Sequence, residues 1–156
     1  MSRILKVVGS VAFCELVGIA GAFFTTPAIP VWFASLNKPF FSPPNFLFAP
    51  VWTILYFMMG ISLYLIWETK KSKGKENALK FFLAQLFLNF LWSIAFFGLR
   101  SPLFGVIIII PLWILIILTI INFQKINKAA GYILYPYLAW VSFAALLNIS
   151  LWILNF

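Results

Sequence analysis

Five long apolar runs, separated by short polar segments, divide the chain into candidate helices. They cover residues 5–24, 46–67, 79–99, 103–123 and 130–156. A helix of about 20 apolar residues crosses the hydrocarbon core of a bilayer, which is roughly 30 Å thick, and each run is at least that long. The pattern predicts an all-α membrane protein, a bundle of five transmembrane helices in one domain over residues 1–156. Residues 25–45 are predicted to form the longest connecting loop.

The overall composition supports a lipid environment. Hydrophobic residues make up 64% of the chain, aromatic residues 20% and charged residues 9%, and the mean hydropathy is +1.06. Such a chain has too few polar side chains to cover a water-facing globule. We therefore expect an integral, multi-pass membrane protein whose core forms where the helices pack against each other.

The cations are distributed unequally between the two ends of the predicted bundle. Two of the eleven, Lys38 and Arg100, fall at one end. The other nine share the end that holds the N-terminus: Arg3, Lys6, Lys70, Lys71, Lys73, Lys75, Lys80, Lys125 and Lys128. Because cytoplasmic loops are rich in Lys and Arg, we expect a cytoplasmic N-terminus, in a prokaryotic cytoplasmic membrane. The basic segment KKSKGK at 70–75 suits this topology or contact with lipid headgroups, and we expect no nucleic-acid binding.

Residues that carry most enzymatic chemistry are scarce. The chain has no His and one Cys, Cys14, which argues against a metal site and against a histidine base. Its acids are Glu15, Glu68 and Glu76, which do not suggest a catalytic carboxylate pair. We therefore expect neither a metal nor a cofactor, and any catalysis must come from a bound ligand or an aromatic side chain.

Glu15 lies in the middle of the first apolar run. A charged acid at that depth costs about 2.5 to 3.5 kcal/mol on insertion scales. We expect Glu15 to be neutral or to face a polar partner, and a role in proton relay is the alternative. The full spanning length of this run favours a retained helix over a cleaved signal peptide.

Three of the runs carry polar and aromatic residues at helical spacing, which places them on one face. The three stripes are Gln85, Asn89, Trp92 and Phe96; Pro136, Trp140, Ala144, Asn148 and Trp152; and Trp52, Tyr56, Gly60 and Tyr64. Unpaired amides are costly in lipid, so these faces should turn inward. They predict a shared aromatic pocket, with interhelical hydrogen bonding or an interfacial aromatic belt as alternatives.

The segment between the first two runs is rich in proline and aromatic residues. It reads WFASLNKPFFSPPNFLFAPVW over 32–52, and LNFLWSIAFFG at 88–98 and PYLAWVSFAALLNISLWILN at 136–155 follow. This pattern resembles the TspO/MBR family, tryptophan-rich sensory proteins related to the mitochondrial translocator protein, over almost the whole chain. The resemblance implies five transmembrane helices, usually as a homodimer, around a pocket covered by the loop 25–45. It also implies binding of porphyrins such as protoporphyrin IX and, in eukaryotic members, of cholesterol and benzodiazepine-type drugs.

The resemblance and the stripes together assign the residues of a ligand pocket. They are Trp32 in the loop, Trp52, Tyr56, Asn89, Trp92, Trp140, Ala144 and Leu147. Indole and phenyl walls suit a flat apolar ligand, and Tyr56 and Asn89 are the polar groups that would orient it. Ile108 stands where the family often has an acid, so a function that needs that acid is in doubt. Because the chain lacks His, a metal-free porphyrin is expected rather than a haem held by imidazole.

These features predict a membrane receptor or binding protein for porphyrins and other flat apolar molecules, with transport or stress signalling downstream. Two alternatives stay open. In an enzymatic version, which the resemblance to bacterial members of the family implies, Trp52 and Trp140 act as redox-active indoles that degrade bound porphyrin in light. In the other, the chain is a small transporter of tetrapyrroles or lipophilic molecules, although transporters commonly show internal repeats and this chain has no clear one. The expected partners are the porphyrin-like ligand, the bilayer and a second copy of the chain.

Overall fold

The computed structural model describes all 156 residues and contains only helices and their connections. The α-helices are α1 (Arg3–Ala28), α2 (Phe48–Glu68), α3 (Lys75–Ser93), α4 (Pro102–Ile126), α5 (Lys128–Tyr132) and α6 (Tyr135–Asn155). Turns of π-helix extend α1 over Ile29–Phe33 and α3 over Ile94–Gly98, and a 3-10 turn at Asn45–Leu47 leads into α2. Five helical units, the last made of α5 and α6, are long and apolar enough to span a membrane, as predicted.

The first helical unit is longer than the apolar pattern indicates. It runs over residues 3–33, so the expected loop does not begin at residue 25, and the irregular segment shrinks to residues 36–44. The prolines in this stretch do not end the helix, because tertiary packing outweighs local preference: Phe33 is buried and packs edge-on against Phe48 at 5.6 Å between ring centroids. Trp32, predicted in the loop, consequently lies in the π-helical extension of α1.

The helices form a closed ring of contacts. α1 packs against α2 and α3, α3 against α4, and α4 against α6. The short α5 contacts α2 and α4 and closes the ring. This order brings the inner faces of α2, α3 and α6 to a shared interior, where the aromatic and amide stripes meet.

α1 and α2 approach each other closely at Gly60. A Cβ atom added to Gly60 would lie 2.5 Å from the Cα atom of Val11, so a larger residue fits only if the helices move apart. Where the start of α1 meets the end of α2, Lys6 Nζ donates a hydrogen bond of 2.9 Å to Glu68. The Glu68 carboxylate also lies 3.5 Å from the Arg3 side chain. A small residue and ion pairs thus fix the two helices against each other.

Replacing Gly60 with alanine should lower the melting temperature of the detergent-solubilised protein. Overpacking of this kind costs about 1 to 3 kcal/mol. The matched control is Gly9→Ala on α1, because a Cβ atom at Gly9 would have no neighbour within 4 Å. Melting followed by circular dichroism should show a drop for Gly60→Ala alone, and equal melting temperatures for both variants would contradict the close contact.

Candidate functional site

Two cavities lie side by side in the bundle, and the wall of the larger one reaches the surface at the exposed Ile19. The larger, of about 170 Å³, lies between α1, α2 and α3, and its wall includes Glu15 and Phe48. The smaller, of about 20 Å³, lies between α2, α3, α6 and the π-helical end of α1. Trp52, Trp92, Phe48 and Phe97 line both cavities. The two indoles, together with these two phenyl rings, therefore form a partition between them.

The partition is built from stacked aromatic rings. The ring centroids of Trp52 and Trp92 are 6.2 Å apart, with their planes at 35°. Trp92 also stacks on Phe96 at 5.3 Å and meets Phe97 edge-on at 5.7 Å. Each such pair contributes about 0.5 to 1.5 kcal/mol beyond the area it buries. The cavities are thus separated by side chains and not by backbone.

The predicted pocket residues divide between the two cavities. Tyr56 and Asn89 line the larger one together with the partition indoles. Trp140, Ala144 and Leu147 line the smaller one. The structure therefore gathers seven of the eight predicted residues around one interior region, in two compartments.

Trp32 lines neither cavity. Its ring packs edge-on against Phe96 at 5.3 Å and Phe97 at 6.4 Å, because the helical extension of α1 turns it onto the end of α3. Trp32 thereby supports rings that hold the partition. Its direct contact with a ligand stays a prediction.

A chain of hydrogen bonds crosses the interior between α2, α3 and α6. The Tyr56 hydroxyl donates to Asn89 Oδ1 at 2.9 Å, and Asn89 Nδ2 donates to the Tyr137 hydroxyl at 2.7 Å. The Tyr137 hydroxyl in turn donates to Gln85 Oε1 at 2.7 Å. All four residues are buried. Tyr56 and Asn89 therefore already bond to each other, and a ligand does not find them free.

Tyr137 is absent from the predicted stripe on α6 because residues spaced strictly every four do not stay on one face. Four residues turn a helix by about 400°, so the stripe drifts by about 40° at each step. Its two ends, Pro136 and Trp152, are accordingly exposed. The buried face follows spacings of four and three residues, through Tyr137, Val141, Ala144, Asn148 and Leu151.

A second pair of hydrogen bonds joins the partition to α4. Trp92 Nε1 donates to Asn148 Oδ1 at 3.0 Å, and Asn148 Nδ2 donates to the carbonyl of Pro102 at 2.9 Å. Gly105 leaves room for this amide, since a Cβ atom there would lie 2.6 Å from Asn148 Oδ1. Interhelical hydrogen bonding, the alternative reading of the stripes, is thus present alongside the cavities.

Trp140 has an unpaired donor. Its indole Nε1 is buried and makes no hydrogen bond, while its ring packs near Phe48 at 6.4 Å and Phe143 at 5.6 Å. A buried polar group without a partner costs about 1 to 3 kcal/mol. The indole N–H beside the smaller cavity is therefore available to an acceptor on a ligand.

The irregular segment 36–44 is fastened to α6. The backbone N–H of Asn37 donates to Asn155 Oδ1 at 2.9 Å, and Asn155 Nδ2 donates to the Asn37 carbonyl at 3.0 Å. Phe41 packs edge-on against Phe143 at 6.1 Å. These contacts hold the segment down with one side-chain amide and one ring.

Lys38 turns back onto the end of the first helical unit. Its Nζ atom donates to the carbonyls of Ala34 and Leu36, each at 3.3 Å, and lies 4.9 Å from the centre of the Phe33 ring. Partial burial lowers the pKa of Lys38 below its ordinary value. Its charge is therefore directed at the chain and not at either cavity, neither of which it lines.

The cavities are small for a drug-sized ligand. Pockets that enclose such ligands measure about 300 to 1,000 Å³, whereas these measure about 170 and 20 Å³. Movement of Trp52 and Trp92 would join them into one chamber of about 190 Å³, which is still below that range. Binding of a large flat molecule therefore requires the partition to open and the joined chamber to widen.

Comparison with known proteins agrees with this architecture. The model of the TspO/MBR family matches residues 10–153. The chain belongs to the TspO/MBR family. It is similar to the tryptophan-rich protein TspO of Archaeoglobus fulgidus, with 48% identity over 98% of this chain and 99% of the relative. It is also similar to the translocator protein of Bos taurus (35% identity; 93% and 87%) and to the tryptophan-rich sensory protein of Cereibacter sphaeroides (32%; 92% and 90%).

Membership of the TspO/MBR family confirms the resemblance found in the sequence. It identifies an integral multi-pass membrane protein, in agreement with the five spanning helices. It also supports the role of a membrane receptor or sensor.

Replacing Tyr137 with phenylalanine should destabilise this TspO/MBR protein. The change removes the hydroxyl between Asn89 and Gln85 and leaves a buried donor and a buried acceptor unpaired, at about 1 to 3 kcal/mol each. Tyr64→Phe is the control, because Tyr64 is only half-buried on α2 and takes no part in this chain of bonds. Melting in detergent should show a loss for Tyr137→Phe only; a melting temperature equal to wild type would mean that the network does not stabilise the fold.

Proposed function

We propose that the protein is a membrane receptor that binds protoporphyrin-like and other flat apolar molecules in the chamber formed when its two cavities join. The observation that carries this proposal is the convergence of three indoles, Trp52 from α2, Trp92 from α3 and Trp140 from α6, on one interior region. Membership of the TspO/MBR family and the receptor or sensor role that goes with it support the same conclusion.

The physical basis of binding is contact between flat faces. A macrocycle placed between indole rings buries apolar area on both sides, at about 25 cal/mol per Å², and gains stacking contacts with the rings. The unpaired Nε1 of Trp140 gives the chamber one hydrogen-bond donor to orient the ligand. Tyr56 and Asn89 contribute by holding the wall rigid, since their polar groups are already bonded to each other.

Opening of the chamber involves two contacts that this structure shows closed. The partition of Trp52 and Trp92 must move to join the cavities, and the bond between Asn37 and Asn155 holds the segment 36–44 down. The three prolines of that segment stiffen it, which lowers the entropy that is lost when a ligand docks. Binding by such a receptor involves movement of the partition side chains and of this segment, together with widening of the joined chamber.

The expected orientation and assembly are also proposals. The end of the bundle that holds the N-terminus carries most of the cations, which favours a cytoplasmic N-terminus. An exposed apolar groove between α1 and α3, lined by Leu16, Ala20, Leu83 and Phe87 among others, offers a face on which a second copy could pack in the membrane.

Protoporphyrin IX should quench the intrinsic tryptophan fluorescence of the purified protein saturably. Trp140→Ala should raise the dissociation constant measured in this titration by about tenfold or more, because the ligand loses contact with a whole indole ring. Trp113→Ala is the control: Trp113 is exposed on α4 and bonds only to Ser142, so its loss should change affinity by less than about twofold. Quenching that never saturates in the wild-type protein would refute the proposed function, and porphyrin counterflow in vesicles would favour the transporter.

The enzymatic version makes a separate prediction about light. If the indoles are redox-active, porphyrin absorbance should decay under illumination with the wild-type protein, and Trp52→Phe and Trp140→Phe should slow the decay while keeping much of the ring contact. Trp113→Phe, whose indole lies outside both cavities, should leave the decay rate unchanged. Decay that persists equally in all variants shows that the indoles do not carry the chemistry, and the receptor proposal is unaffected.

A further inference from the structure

Glu15 is the one acid of the chain that has no partner. Glu68 accepts a hydrogen bond from Lys6 at 2.9 Å, and Glu76 pairs with Lys80 at 2.8 Å. Glu15 makes no ion pair or side-chain hydrogen bond, and it lies in the wall of the larger cavity, on the first helical unit that is long enough to span a membrane.

The rest of the cavity wall matches a cation. Five aromatic rings line it, from Phe48, Trp52, Tyr56, Trp92 and Phe97, and no Lys or Arg does. The faces of indole, phenol and phenyl rings attract ammonium groups, and proteins recognise quaternary ammonium ligands with cages of such rings. A carboxylate among such rings adds a charged acceptor for the N–H groups of the same ligand.

Three other polar side chains of this wall already donate hydrogen bonds within the protein. The Tyr56 hydroxyl donates to Asn89, the Thr25 hydroxyl to the carbonyl of Gly21, and the Thr53 hydroxyl to the carbonyl of Ala49. The hydroxyls of Thr26 and Ser93 also line the wall, but Glu15 is the one acid there and therefore the strongest acceptor open to a ligand in the cavity.

The cavity size limits the ligand to about one aromatic ring without any opening of the partition. An engineered protein cavity of about 150 Å³ binds benzene, and this one measures about 170 Å³. We propose that the larger cavity is a binding site for small aromatic amines, whose ring packs among the indoles and whose ammonium group pairs with Glu15. This site goes beyond the proposed porphyrin chamber, because it uses α1 and needs no joining of the cavities.

Isothermal titration calorimetry in detergent tests the site with three probes that share a phenylethyl group and differ in the terminal group. They are 2-phenylethylamine, 2-phenylethanol and 3-phenylpropionate, each corrected for partition into micelles without protein. The wild-type protein should bind the amine at least about tenfold more tightly than the alcohol and should bind the carboxylate most weakly. Equal affinity for the amine and the alcohol overturns the proposal, and this comparison needs no variant.

Variants then locate the effect. Glu15→Gln keeps the size of the side chain and should reduce the preference for the amine to within about twofold, whereas Glu76→Gln, which alters a surface acid paired with Lys80, should leave it unchanged. Glu15→Asp retains the carboxylate and should keep part of the preference, which separates loss of charge from loss of fold. An amine preference that survives in Glu15→Gln overturns the assignment of Glu15.

The two proposals fail in different ways. Loss of the amine preference in the wild-type protein, with saturable protoporphyrin quenching intact, removes only the amine site. Absence of porphyrin quenching with a clear amine preference removes only the porphyrin chamber. Because Trp52 and Trp92 border both cavities, bound amine should also weaken porphyrin binding when both sites exist.

Discussion

The need to pair buried polar groups inside a lipid-embedded bundle organises this structure. No water in the hydrocarbon core can satisfy an amide or hydroxyl, so the groups of Tyr56, Asn89, Tyr137 and Gln85 bond to one another in sequence. This chain ties α2, α3 and α6 together at one depth. It also fixes the rings beside it, and the wall of the larger cavity is rigid for that reason.

The cavities follow from the same constraint. Trp92 donates a hydrogen bond to Asn148, and Asn148 donates one to the carbonyl of Pro102 at the start of α4. The Trp52 ring packs against the Trp92 ring. The partition therefore rests on hydrogen-bonded neighbours, whereas Trp140 keeps an unpaired N–H and Glu15 has no partner. Hydrogen-bonded side chains thus lie beside two groups without a partner, and a ligand that pairs with either of these gains a new hydrogen bond or ion pair.

The sequence allowed the fold class, the five spans and most of the interior residues to be predicted. The length and hydropathy of each apolar run, and the free-energy cost of exposing an unpaired amide to lipid, can be read from the local sequence. The extension of α1 through Trp32 was missed, since it depends on Phe33 packing against rings that are distant in sequence. Tyr137 was missed because a four-residue stripe drifts around a helix. The division into two cavities depends on the side-chain rotamers of Trp52 and Trp92, and the helical spacing of residues in the sequence does not predict rotamers.

The central claim is that the indoles of three helices enclose a chamber that opens for a flat ligand. An experimental structure of the protein with protoporphyrin IX bound tests it most directly. The account predicts the macrocycle between Trp52, Trp92 and Trp140, with the two cavities joined and the Asn37–Asn155 contact broken. A macrocycle found on the lipid-facing surface, with the partition of Trp52 and Trp92 unchanged, would contradict it.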